Sequence, residues 1–464
     1  MPRQPVAVLQ TDRGKLVRPL IDSSPLKPVG FPAETSNPPE SGLIRMSKSL
    51  FAMALPILMT GAAYAAPVCN VTQYGAKADG ATKNTAAIQK AIDDCSSKKG
   101  TVVLSGGTFV SGPLVLKSNI TFRVEKGATL LGSADHDDYP KMEVLRAAGR
   151  QSLISSDHAE NITITGGGVI DGNGESWWKE ARETRNAGFV GGDTVFRPRL
   201  AVFNYSKHIK MEDITFQNSP SWQVVPYYCD DVIIRNVRIL APEHSPNSDA
   251  VDPFSTSNMI IDHLYADVGD DNIAIKSGLV NSPGPDAPSK NITITDCTFM
   301  HGHGLSIGSE IAGGAQNIRA ERIHFDGTDQ ALRIKANRDR GADVSNIVFK
   351  DIDIKNVGMA ILISEYYPKV LPPEGDSAQP VTRLTPLFHD ITIENVTATN
   401  AKTTGVIIGL PESPVKNVVL KNVHLEGGTG FRISDATVTA ENFTVKAEKG
   451  EAITVLPSAK LTKK

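Results

Sequence analysis

The chain has 464 residues, 40% hydrophobic and 6% aromatic, with 39 glycines; this excludes a disordered chain overall and leaves ample material for a turn-rich core. A formal net charge of −3 excludes the basic balance of a nucleic-acid binder, so attraction for an anionic partner must be local. The four cysteines, Cys69, Cys95, Cys229 and Cys297, show neither Cys-x-x-Cys nor Cys/His spacing, which argues against a zinc site.

Residues 1–45 carry 8 of the 29 prolines without hydrophobic periodicity and read as a disordered or untranslated leader. From Met46 the pattern changes to Met-Ser-Lys-Ser, an apolar run from Leu50 to Met59, and Ala63-Tyr64-Ala65 before Ala66. That is the three-part layout of a secretory signal over 46–65, with translation expected to start at Met46 and cleavage after Ala65. The run is too short to span a membrane and nothing later reaches its length, so the expectation is a secreted protein, extracellular or periplasmic, with no membrane anchor. Seven Lys or Arg and four Asp or Glu precede residue 66, so the remainder carries −6. In an exported chain Cys69 and Cys95, flanking one short segment, are the expected disulfide; Cys297 takes a core position as a buried thiol, and Cys229 is undecided.

Asn84 suits a helix N-cap, and Ile88, Ala91, Ile92 and Cys95 form an i, i+3, i+4, i+7 stripe, which predicts a helix over about 85–97 with one apolar face. After Gly100, short β-rich runs follow, separated by Gly, Pro, Ser and Asn. A repeat then becomes explicit: Asn or Asp, aliphatic, any, aliphatic, any, Asp or Asn, aliphatic. It starts at Asn161, Asp231, Asn258, Asn291, Asn317, Asn346, Asp390 and Asn417. The five starts from 231 to 346 are 27, 33, 26 and 29 residues apart, a length that suits one turn of a parallel β-helix with about three strands. Alternation points the aliphatics inward, and the leading Asn suits a corner needing a left-handed residue or a stacked amide ladder. The fold expected for 66–464 is therefore all-β, a single right-handed parallel β-helix domain capped at its N-terminus by the 85–97 helix. The repeat decays after Gly427-Gly428 into a basic tail whose Lys460, Lys463 and Lys464 read as solvated. Insertions at 173–199, 279–290 and 366–388 are expected to wall the binding face.

Four polar clusters sit in this repeat: Asn247-Ser248-Asp249, Gly269-Asp270-Asp271, Gly302-His303-Gly304 and Arg333-Ile334-Lys335. Each alone suits an ordinary turn. A solenoid, however, stacks successive coils and brings them to one lateral face. Three gathered carboxylates repel, which raises at least one pKa and leaves another ionised, as an acid and base pair acting across a glycosidic bond requires. Asp270 and Asp271 can both serve only if a turn or bulge interrupts the strand, and Gly269 allows one. Positions 333 and 335 share a strand face, so two cations point together at something anionic.

In this order and spacing the four clusters resemble the signature set of the polygalacturonases, glycoside hydrolase family 28. The resemblance covers roughly Val71 to Val445, including Tyr74-Gly75-Ala76-Lys77-Ala78-Asp79-Gly80 and Asp171-Gly172-Asn173-Gly174 with Trp177-Trp178. Ser248 departs from it, since the family more often has Thr there. The resemblance implies inverting hydrolysis of α-1,4-linked galacturonan in pectin with no metal or other cofactor; a monomer is expected, although the sequence leaves the oligomeric state open. Asp270 would be the general acid, Asp249 and Asp271 would activate water, and His303 would tune the acid or hold the site together. Asn247, Arg333 and Lys335 would bind substrate, the two cations through the galacturonate carboxylate; Tyr366, or Tyr367 in its place, would be a further contact.

Other readings remain in view. A calcium-dependent pectate lyase or a rhamnogalacturonan hydrolase shares the fold, and clustered aspartates also suit calcium; a non-catalytic, tailspike-like β-helix would bind glycan without needing the carboxylates. Gly304-Leu-Ser306-Ile-Gly308 matches the serine-hydrolase elbow, but a β repeat continues on both sides, so Ser306 reads as an ordinary strand residue. The Asn-x-Thr/Ser triplets at Asn70, Asn161, Asn204, Asn291, Asn395 and Asn442 mostly fall at repeat corners, where a turn role is expected. Trp177 and Trp178 are expected to pack a loop rather than stack on sugar.

Overall fold

The computed structural model describes residues 66–186 and 195–464. The leader over 1–45 and the signal over 46–65 lie outside the described residues.

Parallel strands stack coil on coil from Val68 to Lys463. In the longest ladder Ile162 pairs with Ile209, and Val232, Met259, Ile292, Ile318, Ile347, Ile391, Val418 and Val438 continue the same row. Every member is buried inside the coil. Two residues along, the next inward row takes Ile164, Met211, Ile234, Ile261 and Ile294, as the two-residue period of a strand requires. Rows of branched aliphatics from successive coils thus form one continuous core. The hand is the right-handed one that parallel crossovers almost always take.

The polar residue that opens each repeat turns a corner. Asn161, Asp231, Asn258, Asn291, Asn317, Asn346, Asp390 and Asn417 all have φ between 51° and 59°, the left-handed region that Asn and Asp tolerate best. Their amides also form a ladder: Asn291 Nδ2 donates to Asn258 Oδ1 at 2.9 Å, Asn317 to Asn291 at 3.0 Å and Asn346 to Asn317 at 2.7 Å. Both expected corner roles are therefore met by the same residues. Two of the Asn-x-Thr asparagines, Asn161 and Asn291, are spent in this way, and Asn395 and Asn442 belong to a second such ladder.

The helix forms at Thr85–Ser96 and buries Ile88, Ala91, Ile92 and Cys95 against the first strands. Asn84 stands at the N-cap position, but its side chain makes no capping hydrogen bond. Its Oδ1 accepts from the Lys77 N–H at 2.7 Å and its Nδ2 donates to the carbonyls of Lys77 and Thr82, so it ties down the preceding loop instead. A disulfide joins Cys69 to Cys95, while Cys229 and Cys297 are buried free thiols, each pushed up to about 12 by burial.

At the other end the repeat does not decay where its sequence signal does. Strands Val415–Ser434 and Ala436–Val455 continue the stack, and Lys460–Lys463 adds a last strand on Thr437–Ala440. Glycines at 427 and 428 blur the alternation, yet a Cβ on Gly430 would collide with backbone of the next coil, so close stacking persists there. Lys460 and Lys463 are exposed on this final edge, where charge discourages further pairing.

One further sheet matters for function. It runs through strands Ile154–Asp157, Ala201–Asn204 and Val224–Tyr227, the bridge residues Val251 and Phe254, and then Ile273–Ile275, Leu305–Ile307, Gln330–Lys335 and Met359–Ser364. Its inward side chains join the core; its outward side chains form a floor.

Candidate active site

The Gly269-Asp270-Asp271 segment lies in a bend between strands Tyr265–Asp267 and Ile273–Ile275, so the two aspartates escape strict strand alternation. Gly269 is required there for closeness rather than for a left-handed φ: a Cβ would collide with the Ser245 carbonyl oxygen and stand 2.8 Å from that of Glu243. Ser248 holds the bend, accepting the Gly269 N–H at 2.9 Å while bonding to Ser245 Oγ at 2.6 Å.

Backbone bonds then step the clusters from coil to coil. The Ala250 N–H donates to the Asp271 carbonyl at 2.9 Å, the His303 N–H to the Asp270 carbonyl at 2.9 Å, and the Asp329 N–H to the Gly302 carbonyl at 2.7 Å. Gly302 and Gly304 flank His303 with φ of 123° and 79°, and a side chain on either would strike neighbouring backbone. Asp249, Asp270, Asp271 and His303 are thereby drawn to one end of the floor.

On the floor itself Arg333 and Lys335 share a face. Arg333 donates through one terminal nitrogen to Asp271 Oδ1 at 3.0 Å, Lys335 Nζ to Asp271 Oδ2 at 2.8 Å, and Ser306 Oγ to Asp271 Oδ1 at 2.9 Å. Burial alone would raise the Asp271 carboxyl, but Lys335 and Arg333 hold it well below the usual carboxylate range. Ser306 is thus no ordinary strand residue, although no helix follows it as an elbow serine needs.

Asp249 is the opposite case. It is buried, Oδ1 has no hydrogen-bond partner among the described residues, and Lys276 Nζ is 4.0 Å from Oδ2. Burial, with the charges of Asp270 and Asp252 adding to it, raises its carboxyl well above the ordinary value. Asp270 keeps some exposure and faces His303, whose Nδ1 lies 3.1 Å from Oδ1. Burial disfavours a charged imidazole, yet the bond to Asp270 and the charges of Asp270 and Asp271 outweigh it and raise the His303 pKa. The other ring nitrogen reaches Asp329 at 3.2 Å.

The remaining expected residues are less central. Asn247 Oδ1 accepts from Arg197 at 2.7 Å, which fixes the start of its cluster. Tyr366 is buried, its hydroxyl donating to Asp376 at 2.7 Å, away from the carboxylates. Its neighbour Tyr367 instead places its ring 5.9 Å from the Arg333 guanidinium and 5.3 Å from Lys335 Nζ. Trp177 is fully buried and stacked on His136, and Trp178 donates to the Ser219 carbonyl at 2.9 Å, so both pack a loop.

Three residues absent from the sequence reading complete the constellation. Asp252 is fully buried with neither carboxyl oxygen hydrogen-bonded among the described residues, and burial pushes it up to about 7 despite Lys276. Lys276 Nζ stands 3.7 Å from Asp252 and 3.2 Å from Glu310. Glu310 in turn falls to about 2, where Lys276 overcomes its burial. The available signal was strand parity: Asp252 and Lys276 occupy outward positions of the strands that follow Asp249 and Asp271. The chemistry this arrangement offers is a set of carboxylates with separated proton affinities beside buried cations, which suits acid and base work on an anionic substrate.

The sequence profile described as Glycosyl hydrolases family 28 matches residues 95–449. The chain belongs to that family. Within family 28 it is similar to a "Probable polygalacturonase" of Vitis vinifera, 30% identical with 76% of this chain and 73% of the relative covered, and to an "Endo-polygalacturonase" of Pectobacterium carotovorum subsp. carotovorum, 30% identical with 78% and 89% covered. Among solved structures it is similar to an exopolygalacturonase from Thermotoga maritima, with 27% identity, a TM-score of 0.67, and 86% and 90% of the two chains covered. As a family 28 member the chain is a glycoside hydrolase on a parallel β-helix.

Proposed function

We propose that the protein hydrolyses α-1,4 bonds between galacturonate units of polygalacturonate, with inversion at the anomeric carbon. The observation that carries the reading is the convergence of Asp249, Asp270 and Asp271 beside Arg333 and Lys335 on one floor. Family membership and polygalacturonase relatives support the substrate class. So does local charge, because Arg333 keeps an Nε–H with no partner among the described residues and Lys335 has further donors to offer a substrate carboxylate, beneath the Tyr367 ring. In this reading Tyr367, rather than Tyr366, contacts the sugar.

Asp270, the partly exposed carboxyl held by His303, protonates the leaving oxygen; Asp271, kept ionised, and Asp249 activate the attacking water. One feature favours a second assignment: burial raises the Asp249 carboxyl well above the ordinary value, the direction a general acid needs. Leaving-group chemistry separates the two. An aryl galacturonide with a good leaving group needs no acid, so the variant lacking the true acid keeps turning it over while losing the polymer. Asp270→Asn is expected to behave in this way and Asp249→Asn to lose both; the reverse would exchange the roles. Proton NMR of the first product tests inversion: the new reducing end should appear as the β anomer, and an initial α anomer would contradict it.

Asp270, Asp271 and His303 bring ligand atoms within 4.8 Å of one another, the geometry that keeps a calcium-dependent lyase in view. Both Asp271 oxygens are already taken by cations, and a divalent ion would meet the charges of Arg333 and Lys335 there. Export belongs to the same reading, since the Cys69–Cys95 disulfide suits an oxidising compartment and the polymer is extracellular. Among the described residues no helix is long and apolar enough to cross a membrane.

A further inference from the structure

The floor is open over only part of its length. Along its outward rows Val202 pairs with Val225, then Ala274 with Ser306, Ser306 with Arg333, Arg333 with Leu362, and Leu362 with Val406. Two apolar clusters, separate from the coil's core, bracket the polar rows. On the C-terminal side Leu362, Val406 and Ile408 are covered by Tyr366. On the N-terminal side Val202, Val225, Tyr227 and Phe254 are covered by Val144 and Leu145. Phe254 shares the level of Val251, so the three levels free of both clusters, Ile273–Ile275, Leu305–Ile307 and Gln330–Lys335, span two inter-strand spacings, about 10 Å at about 4.8 Å each, enough for only a few sugar rings.

The N-terminal cover is a hairpin. Strands Lys141–Val144 and Ala147–Arg150 pair antiparallel, and the turn between them puts Leu145 and Arg146 at φ of 55° and 60°. Two consecutive left-handed residues without glycine or asparagine are strained and need outside support. Arg146 supplies it: Nε donates to the Tyr227 hydroxyl at 2.7 Å, and a terminal nitrogen donates to the Tyr228 hydroxyl at 3.0 Å and to Asp286 at 2.9 Å. The Asp286 side chain is fully buried, accepts from Ser282 and lies 3.9 Å from Arg383. The hairpin is thus clamped to the insertions at 279–290 and 366–388. The covered Val225 row is the last before the strand level of Val251, which follows directly on Asp249.

We propose that this hairpin is a wall closing one end of the cleft, that Arg146 is its latch, and that the enzyme therefore cleaves galacturonan from a chain end, releasing one or two sugar units at a time. The inference rests on the galacturonan-hydrolase reading above. With the catalytic carboxylates one or two strand spacings from the wall, roughly 5–10 Å, a longer chain has no room on that side. The step itself is unchanged: water's oxygen bonds to the anomeric carbon of the seated terminal unit, one water proton passes to the carboxylate base, and the glycosidic C–O bond breaks as the acid protonates the leaving oxygen.

The test follows products from polygalacturonate by size while recording viscosity. The wild type should release only mono- or digalacturonate from the earliest time, with little loss of viscosity; an early ladder of oligomers with collapsing viscosity would overturn the inference but not hydrolysis. No reducing ends at all would overturn the hydrolase reading, and this inference with it. In Arg146→Ala, and in a variant replacing residues 142–149 by Gly-Gly between the cross-strand partners Lys141 and Arg150, longer products should appear and viscosity should fall earlier. An unchanged product set in either variant, with folding confirmed by circular dichroism, would overturn the wall. Should the shortened variant not fold, the wild-type and Arg146→Ala profiles decide.

Discussion

Lys335 Nζ sits 2.8 Å from Asp271 Oδ2, and both groups are almost wholly removed from solvent. The pair keeps Asp271 ionised far into the acid range, with Arg333 on the other oxygen. A buried carboxylate stripped of such a partner takes up a proton more readily, typically by about 1–3 pK units.

Lys335→Ala should therefore do more than weaken substrate binding. Besides a higher KM for polygalacturonate, the acid limb of its pH–rate profile should move to higher pH by about one unit or more, because Asp271 then protonates within the working range. Kinetics from pH 3 to 7 would show this. An acid limb in the wild-type position would mean that Lys335 does not govern the Asp271 charge.

Asp252 predicts a stability effect of opposite sign. Its carboxyl rises from 3.8 to about 7 on folding, so across that window the folded chain holds a proton that the unfolded chain has released. The folded state then binds more protons, and stability falls as pH rises from about 4 to about 7. The depressed groups Asp271 and Glu310 contribute fully once pH exceeds their unfolded values, near 4, so they do not mask this window. Relative to wild type, Asp252→Asn should gain melting temperature progressively between pH 5 and 7. A constant difference across that range would contradict the assignment.

How much of this was legible beforehand depends on whether a feature is local. The Asn-led repeat is local, and it announced both the aliphatic rows and the left-handed corners at Asn258, Asn291 and Asn317. The four clusters were legible because each is contiguous in sequence. Asp252, Lys276, Glu310 and Ser306 were not, because which residues meet across coils depends on register, and successive members of the buried ladder from Ile162 to Val438 lie from 20 to 47 residues apart. The hairpin at 141–150 escaped because Leu145-Arg146 carries none of the Asn-Gly or Gly signals of a tight turn. That Tyr367 faces Arg333 and Lys335 while Tyr366 bonds to Asp376 depends on a loop conformation that adjacent residues cannot specify. Asn84 showed the converse error, a residue with cap chemistry drawn instead to the exposed backbone of the preceding loop.

Gly269 provides a test of the bend. With the Ser245 and Glu243 carbonyls so close, a methyl group there must push the bend outward. Gly269→Ala should lower stability by about 1–3 kcal/mol and reduce kcat more than that loss explains, since Asp270 and Asp271 are displaced together. Denaturant unfolding alongside kcat would check it. Near-wild-type turnover would show that the bend tolerates the displacement.

The most direct measurement is turnover of polygalacturonate by the wild type and by Asp270→Asn, with a chelator present, followed by both reducing ends and ultraviolet absorbance. Reducing ends without new absorbance are expected for the wild type, and a loss of roughly 10²–10⁴-fold in the variant with its fold intact. Ultraviolet-absorbing products that vanish with chelator, or full activity in Asp270→Asn, would contradict hydrolysis through Asp270.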